Sequence, residues 1–215
     1  MSHLGSWLED APSLVGDASV WINLVATGHA EELLRLSTAK HLITTAARTE
    51  LESGRAKGRQ AAEAVAELIA LGLINEVALT NNDEAVFIDL VAGPTGSTLD
   101  DGEAATIAFA IASTSVALID ERKATALCND RYPALLVMST TDFLLAPPIV
   151  SGLQEEGISE CFFRALTVAR MRVPDRHLVR VCELLGSERR QMCRSLPAAL
   201  RQGTEVSGHE PLLGR

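Results

Sequence analysis

A chain of 215 residues, 47% apolar and 22% charged, holds one α/β domain plus an appendage and is too hydrophobic to stay disordered. No run approaches the roughly 18–20 uninterrupted apolar residues of a membrane span, and Glu9 and Asp10 stand where a signal peptide would carry basic residues. Cys128, Cys161, Cys182 and Cys193 show neither CxxC nor metal-ligand spacing, which argues against zinc and against a disulfide scaffold. A soluble, cytoplasmic protein with no membrane partner is the expectation.

Charge is unevenly spread. Residues 1–154 carry nine basic and twenty acidic side chains, a balance of −11. Residues 155–215 carry ten and eight, and all ten cations are arginines. An acidic body with an Arg-rich end is not the footprint of a protein that coats nucleic acid non-specifically, because phosphate neutralisation demands clustered cations. It does allow a metal-bound acidic cleft.

In chain order, Leu14–Asp17 reads as a short buried strand ending at an acid, followed by a helix over Ala18–Ala26 that Gly28 closes. Apolar spacing predicts a second helix over His29–Leu36, a strand over His41–Thr45, and a helix from Ala46 to Glu52. Lys57–Leu71 carries Ala61, Ala64, Val65, Leu68 and Leu71 on one stripe, the mark of an amphipathic helix. A strand over Asn75–Leu79 precedes a helix that Asn81-Asn82-Asp83 would cap and Gly93-Pro94 would end. Asp100–Ser113 is an apolar helix opening with acids, Val116–Ile119 a strand buried on both faces, Glu121–Cys128 a helix and Ala134–Met138 a last strand. Alternation of short apolar strands with helices predicts a three-layer α/β/α fold with a parallel central sheet. Beyond Pro147-Pro148 the strand signal ends. Helical patches follow around Phe162–Met171, Asp175–Leu185 and Glu188–Leu200, a C-terminal helical extension whose end is expected to be frayed.

Ligands of parallel α/β sheets sit beyond the carboxyl ends of the strands. Asp17 and Asp120 end two strands, Glu50 follows a third, and Glu103 lies in a first helical turn. Four acids on one sheet edge repel unless a cation lies among them, and hard divalent ions take such oxygen ligands. Singly, each acid has a plainer reading: Asp17 as a helix cap, Glu103 as a complement to a helix dipole, Glu50 as a solvated residue, and Asp120-Glu121 as capping chemistry. Their joint arrangement favours the site. Arg48, Arg122 and Lys123 flank the acids and are candidates for phosphate contact or for surface salt bridges. Trp21 reads as a core aromatic, and the cysteines as packing residues.

The order and spacing of four segments resemble the PIN domain family, in particular its VapC-like branch. These are Leu14-Val15-Gly16-Asp17-Ala18-Ser19-Val20-Trp21-Ile22, Thr49-Glu50-Leu51-Glu52-Ser53-Gly54, Asp101-Gly102-Glu103-Ala104-Ala105-Thr106-Ile107-Ala108 and Ala117-Leu118-Ile119-Asp120-Glu121-Arg122-Lys123-Ala124. The resemblance implies a PIN-like domain over residues 13–150; the chain departs from the family by continuing beyond it, and its pattern there predicts a helical extension over 151–201 and a flexible tail over 202–215. It implies an endoribonuclease dependent on Mg²⁺ or Mn²⁺, with Asp17, Glu50, Glu103 and Asp120 as metal ligands and Ser19 as a polar support. Because Asp120 and Glu121 are adjacent, either can be the fourth acid. The implied partners are RNA, a small antitoxin protein and a second copy of the chain in a homodimer. A non-catalytic binding or regulatory module and a DNA-directed nuclease of the same fold stand as alternatives.

Overall fold

The computed structural model describes residues 7–54, 56–92 and 98–202. After a short helix α1 (Trp7–Asp10), β1 (Ser13–Gly16) leads into α2 (Ala18–Ala26) and α3 (Ala30–Leu36). Then come β2 (Lys40–Thr44), α4 (Thr45–Ser53), α5 (Ala56–Ala70), β3 (Ile74–Val77), α6 (Asn81–Val91) and α7 (Asp101–Ser113). The domain finishes with β4 (Val116–Leu118), α8 (Arg122–Arg131), β5 (Val137–Met138) and α9 (Thr140–Leu144). All pairings are parallel, in the order β3-β2-β1-β4-β5. The chain winds outward from β1 to β3 and then returns to the other side of β1. The topological switch point therefore falls between β1 and β4, where open α/β sheets bind ligands.

Side chains alternate between the faces, as a strand's period of two requires. Leu14, Val116 and Leu118 enter one core with Trp21, Leu24, Ile43, Leu51 and Val65, whereas Val15, Ala117 and Ile119 enter a second with Leu90, Ile107 and Cys128. The three layers follow directly. Trp21 is buried, as its sequence context implies, and it donates its Nε1–H to the Gly16 carbonyl at 3.0 Å. A Cβ on Gly16 would come within 3.0 Å of that indole nitrogen, so only glycine lets the ring close over the end of β1.

The first half of the fold follows the predicted elements within a residue or two. Differences concentrate later. The strand predicted over Ala134–Met138 shrinks to Val137–Met138, because a turn closed by the Leu135 amide on the Tyr132 carbonyl at 2.9 Å takes up its first residues. Two short helices, α1 and α9, have too few residues to show a period. The Gly93-Pro94 stop and the tail beyond Gln202 lie outside the described residues.

The extension begins with α10 (Pro147–Arg164), whose first half carries no clear apolar stripe and bends at Gln154. A π-helical turn (Ala165–Ala169) follows, then a single 3₁₀ turn (Asp175–His177), α11 (Leu178–Met192) with a bend at Gly186, and α12 (Ala198–Arg201). Ile158, Phe162, Leu166, Val181, Cys182 and Leu185 join the core on the α2 side of the sheet. Burying a Leu or Phe stabilises by roughly 1.5–3 kcal/mol, which gives both stripes a reason to dock. All four cysteines are buried and unbridged.

Candidate active site

Asp17 follows β1 and caps α2. Its Oδ1 accepts from the Val20 amide at 2.9 Å and from the Ser19 hydroxyl at 2.8 Å, leaving Oδ2 with no hydrogen bond among the described residues. The two sequence readings of Asp17 are thus compatible: one oxygen caps, the other remains for the crevice. Ser19 supports the acid as expected. Asp17 is 3% exposed, and burial, with Asp120 and Glu50 adding repulsion, pushes its pKa up to about 7.

Glu103 sits in the first turn of α7, where the cap Asp100 accepts its amide at 2.9 Å. Its own carboxylate takes no described hydrogen bond. Burial raises it to about 8, reinforced by the charges of Asp100, Asp17 and Glu121. Glu50 reaches the same place from α4. The residue as a whole is exposed, but its carboxylate end lies directly over Gly102, where any Cβ would displace it. Partial burial of that end and the nearby Asp100 raise its pKa too. Gly102, immediately before Glu103, thus lets the Glu50 carboxylate of α4 lie against the start of α7, beside Asp100.

Asp120 differs. It follows β4 at the switch point and is held by both oxygens: Oδ1 accepts from the Thr140 amide at 2.8 Å, and Oδ2 from Asn23 Nδ2 at 2.7 Å and from the Thr140 hydroxyl. Burial still raises its pKa against these bonds. The adjacent Glu121 caps α8, with Oε2 accepting the Ala124 amide at 2.9 Å, and its charge reaches Glu103. Both acids face the crevice electrostatically, one from the Asp17 side and the other from the Glu103 side.

Of the flanking cations, Arg48 is bonded to Glu76 and Glu52, and Lys123 donates to the Thr98 carbonyl. Arg122 makes no ion pair or hydrogen bond through its side chain to any described residue and lines the groove beside Asp120.

Sequence reasoning missed Asn23, Thr140 and Asp142. Asn23 is a buried amide on an apolar helix, a pattern that invites the question of what it bonds. Ser139-Thr140-Thr141-Asp142 forms a capping box at α9, a signature visible in the sequence. Asp142 is buried and accepts from Ser139, from His177 at 2.6 Å and from Arg176 at 2.5 Å. These partners overcome its burial and hold its carboxyl well below the usual range.

The ligand atoms on offer are all oxygen, the set that Mg²⁺ and Mn²⁺ prefer. Among the described residues no three His, Cys, Asp or Glu side chains converge into a ready-made shell. Mg²⁺ needs only one or two direct carboxylates and keeps waters for the rest. The open Oδ2 of Asp17 and the carboxylates of Glu103 and Glu50 fit such an ion, with Asp120 beside them.

An α/β/α domain whose switch-point crevice is walled by carboxylates is the class that fold and site define. Over residues 13–131, more than half of the chain, the sequence matches a family model described as DUF3368, a PIN domain. The chain belongs to the PIN domain family, whose members are generally nucleases and usually use divalent metal ions. It matches no curated protein and no solved structure. No helix of the described residues is long and apolar enough to cross a membrane.

Proposed function

We propose that this protein is an endoribonuclease that hydrolyses RNA phosphodiester bonds with Mg²⁺ or Mn²⁺. We further propose a VapC-like role for it: a cytoplasmic homodimer, the toxin of a pair held in check by a small antitoxin protein. The observation that carries the nuclease reading is the charge coupling of Asp17 with Glu103 and with Glu50 beside the switch point. Burial and nearby like charges disfavour their charged forms, and the hydrogen bonds that Asp17 accepts from Val20 and Ser19 offset this only in part. A carboxylate cluster kept at that cost is what a cation site requires.

A divalent ion bound there would acidify a water and stabilise charge on the phosphate and the leaving oxygen. Asp17 and Glu103 would hold the ion through oxygens that bond to nothing else. Ser19 and the Val20 amide fix the direction of the Asp17 carboxylate. Thr140 and Asn23 do the same for Asp120, which would stand beside the ion and help to orient a water. Glu50, reaching in over Gly102, would add a further oxygen donor for the ion or its waters.

The purified protein is expected to cleave single-stranded RNA only with Mg²⁺ or Mn²⁺ present. Cleavage that persists in excess chelator would overturn the mechanism. The saturation of Asp120 by Asn23 and Thr140 favours a second reading, a PIN-fold module that binds nucleic acid without cutting it. Tight RNA binding with no divalent-dependent cleavage would select it. Equal cleavage of DNA would extend the substrate beyond RNA.

A further inference from the structure

We infer that Arg122, Arg170 and Arg172 grip the phosphate backbone of a single RNA strand beside the acidic site. The C-terminal extension, beyond the family-matched segment, then supplies the substrate-holding wall. A groove of about 450 Å³ runs between the two parts of the chain, with Ser19, Asn23, Asp120 and Arg122 from the body and Arg170 and Arg172 from the extension. A second cavity of about 510 Å³ shares Asp120, Arg122 and Arg172 with it, so the trough continues past the site.

The sequence places these arginines by a local device. The π-helical turn ends where Arg170 takes a left-handed conformation, φ 60°, and the Met171 amide bonds back to the Ala165 carbonyl at 3.0 Å. Met171 and Val173 then go inward, 2% and 5% exposed, while Arg170 and Arg172 stay outside. The alternation seats the segment in the core and turns both guanidinium groups outward.

Some arginines of the extension are paired, although Arg190, Arg194 and Arg201, outside this groove, also have no ion pair among the described residues. Elsewhere in the extension, Arg176 pairs with Asp142, Arg180 with Glu155 and Glu183, and Arg189 with Glu156 and Glu160. Arg122, Arg170 and Arg172 have no ion pair or side-chain hydrogen bond to any described residue, although they line a groove with Asp120 and Glu121. The Asp120 oxygens are already taken by Asn23 and Thr140. A chain of net charge −9 repels nucleic acid at long range, so a strand can be held only where cations gather locally. Guanidinium forks suit phosphate oxygens in particular.

This inference deepens the nuclease reading, and its test separates the two. The full-length protein is titrated with a short fluorescein-labelled single-stranded RNA in chelator, over a range of salt, by anisotropy. The double variant R170A/R172A is expected to lose about tenfold or more in affinity at low salt. Its salt slope should be shallower by about 1.4, two phosphate contacts at 0.7 each on a single strand. R170K/R172K should restore the slope, and R180A/R189A, whose arginines are already paired, should bind as the parent does. Thermal melts confirm that each variant is folded. Single-stranded DNA bound with the same arginine-dependent slope would support a backbone grip. Unchanged binding by folded R170A/R172A overturns the inference, as does an equal loss in R180A/R189A. Polyglutamate binding these arginines more tightly than RNA also overturns it, pointing to an acidic protein partner. Arginine-dependent binding without metal-dependent cleavage would end the nuclease reading and leave the grip standing; cleavage unaffected by the arginines would do the reverse.

Discussion

Asp17 and Asp142 are both buried, both sit at the amino end of a helix, and both lie at the carboxyl edge of the same sheet. Their environments diverge. Asp142 receives Ser139, His177 and Arg176, and its carboxyl is held far down in spite of burial. Asp17 receives one amide and one hydroxyl on a single oxygen, faces Asp120 and Glu50, and is pushed up to about 7. A buried acid that serves the fold is given partners. One left among other acids has a role that partners would obstruct. The extension makes the difference sharper: the Asp175–His177 turn delivers two partners to Asp142, while the neighbouring Arg170 and Arg172 leave their guanidinium groups open to the groove.

Substitution should break the comparison most visibly. Asp17→Asn and Glu103→Gln are expected to abolish RNA cleavage while preserving or raising the melting temperature of the metal-free protein. Each removes repulsion on the order of 1–4 kcal/mol per close pair at effective dielectrics from water to about 20. Asp142→Ala should do the opposite for stability, costing roughly 2–4 kcal/mol because it strips a buried carboxylate from its partners, one of which is half exposed. At about 2–4 °C per kcal/mol for a chain this size, calorimetry resolves the two signs. Melting points that fall equally for both aspartates would make Asp17 a structural acid.

The pH dependence sharpens the contrast. A carboxyl raised in the folded state binds more protons there than in the unfolded chain, so its stabilisation is present at low pH and is lost as pH rises through the folded value. For Asp17 and Glu103 that window extends from about 4 to about 8. Asp142, held low, loses its contribution only on acidification below the ordinary carboxylate range. His41 is buried with its pKa lowered to about 4, so it opposes the carboxylates up to its ordinary value of 6.5. Between pH 6.5 and 8 the metal-free melting temperature should therefore fall. The Asp17→Asn and Glu103→Gln changes together, or saturating Mg²⁺, should flatten that slope. A slope that survives both would assign it to other groups.

The smallest effect concerns the fourth acid. Glu121→Ala removes a helix cap, worth about 0.5–2 kcal/mol, and should lower cleavage only modestly. Asp120→Asn should cost cleavage heavily with little change in stability, because the amide oxygen can still accept the Thr140 bond. A reversed ranking in a cleavage assay would make Glu121 the acid of the site.

The legible part of this protein was the part written in local pattern. Strand Leu14-Val15-Gly16, the Asp100–Ser113 helix and the apolar Val116–Ile119 run declare themselves by period and composition. Once the strands are parallel, the acids following β1 and β4 must share an edge. The helical patches around Phe162–Met171 and Asp175–Leu185 carry Phe162, Leu166, Val181 and Leu185, which would be costly to expose and are buried. What the local pattern could not contain is the identity of partners far apart in the chain. Asn23 and Thr140 meet at Asp120 across 97 and 20 residues, and Asp142 finds Arg176 and His177 more than 30 residues on. Hence Arg176, Arg180 and Arg189 are paired while Arg170 and Arg172 stay open, a division that the local pattern does not contain. Hydrophobic period is decided by neighbours three or four residues away, whereas the charge state of a buried carboxylate is decided by whichever groups the completed fold brings against it.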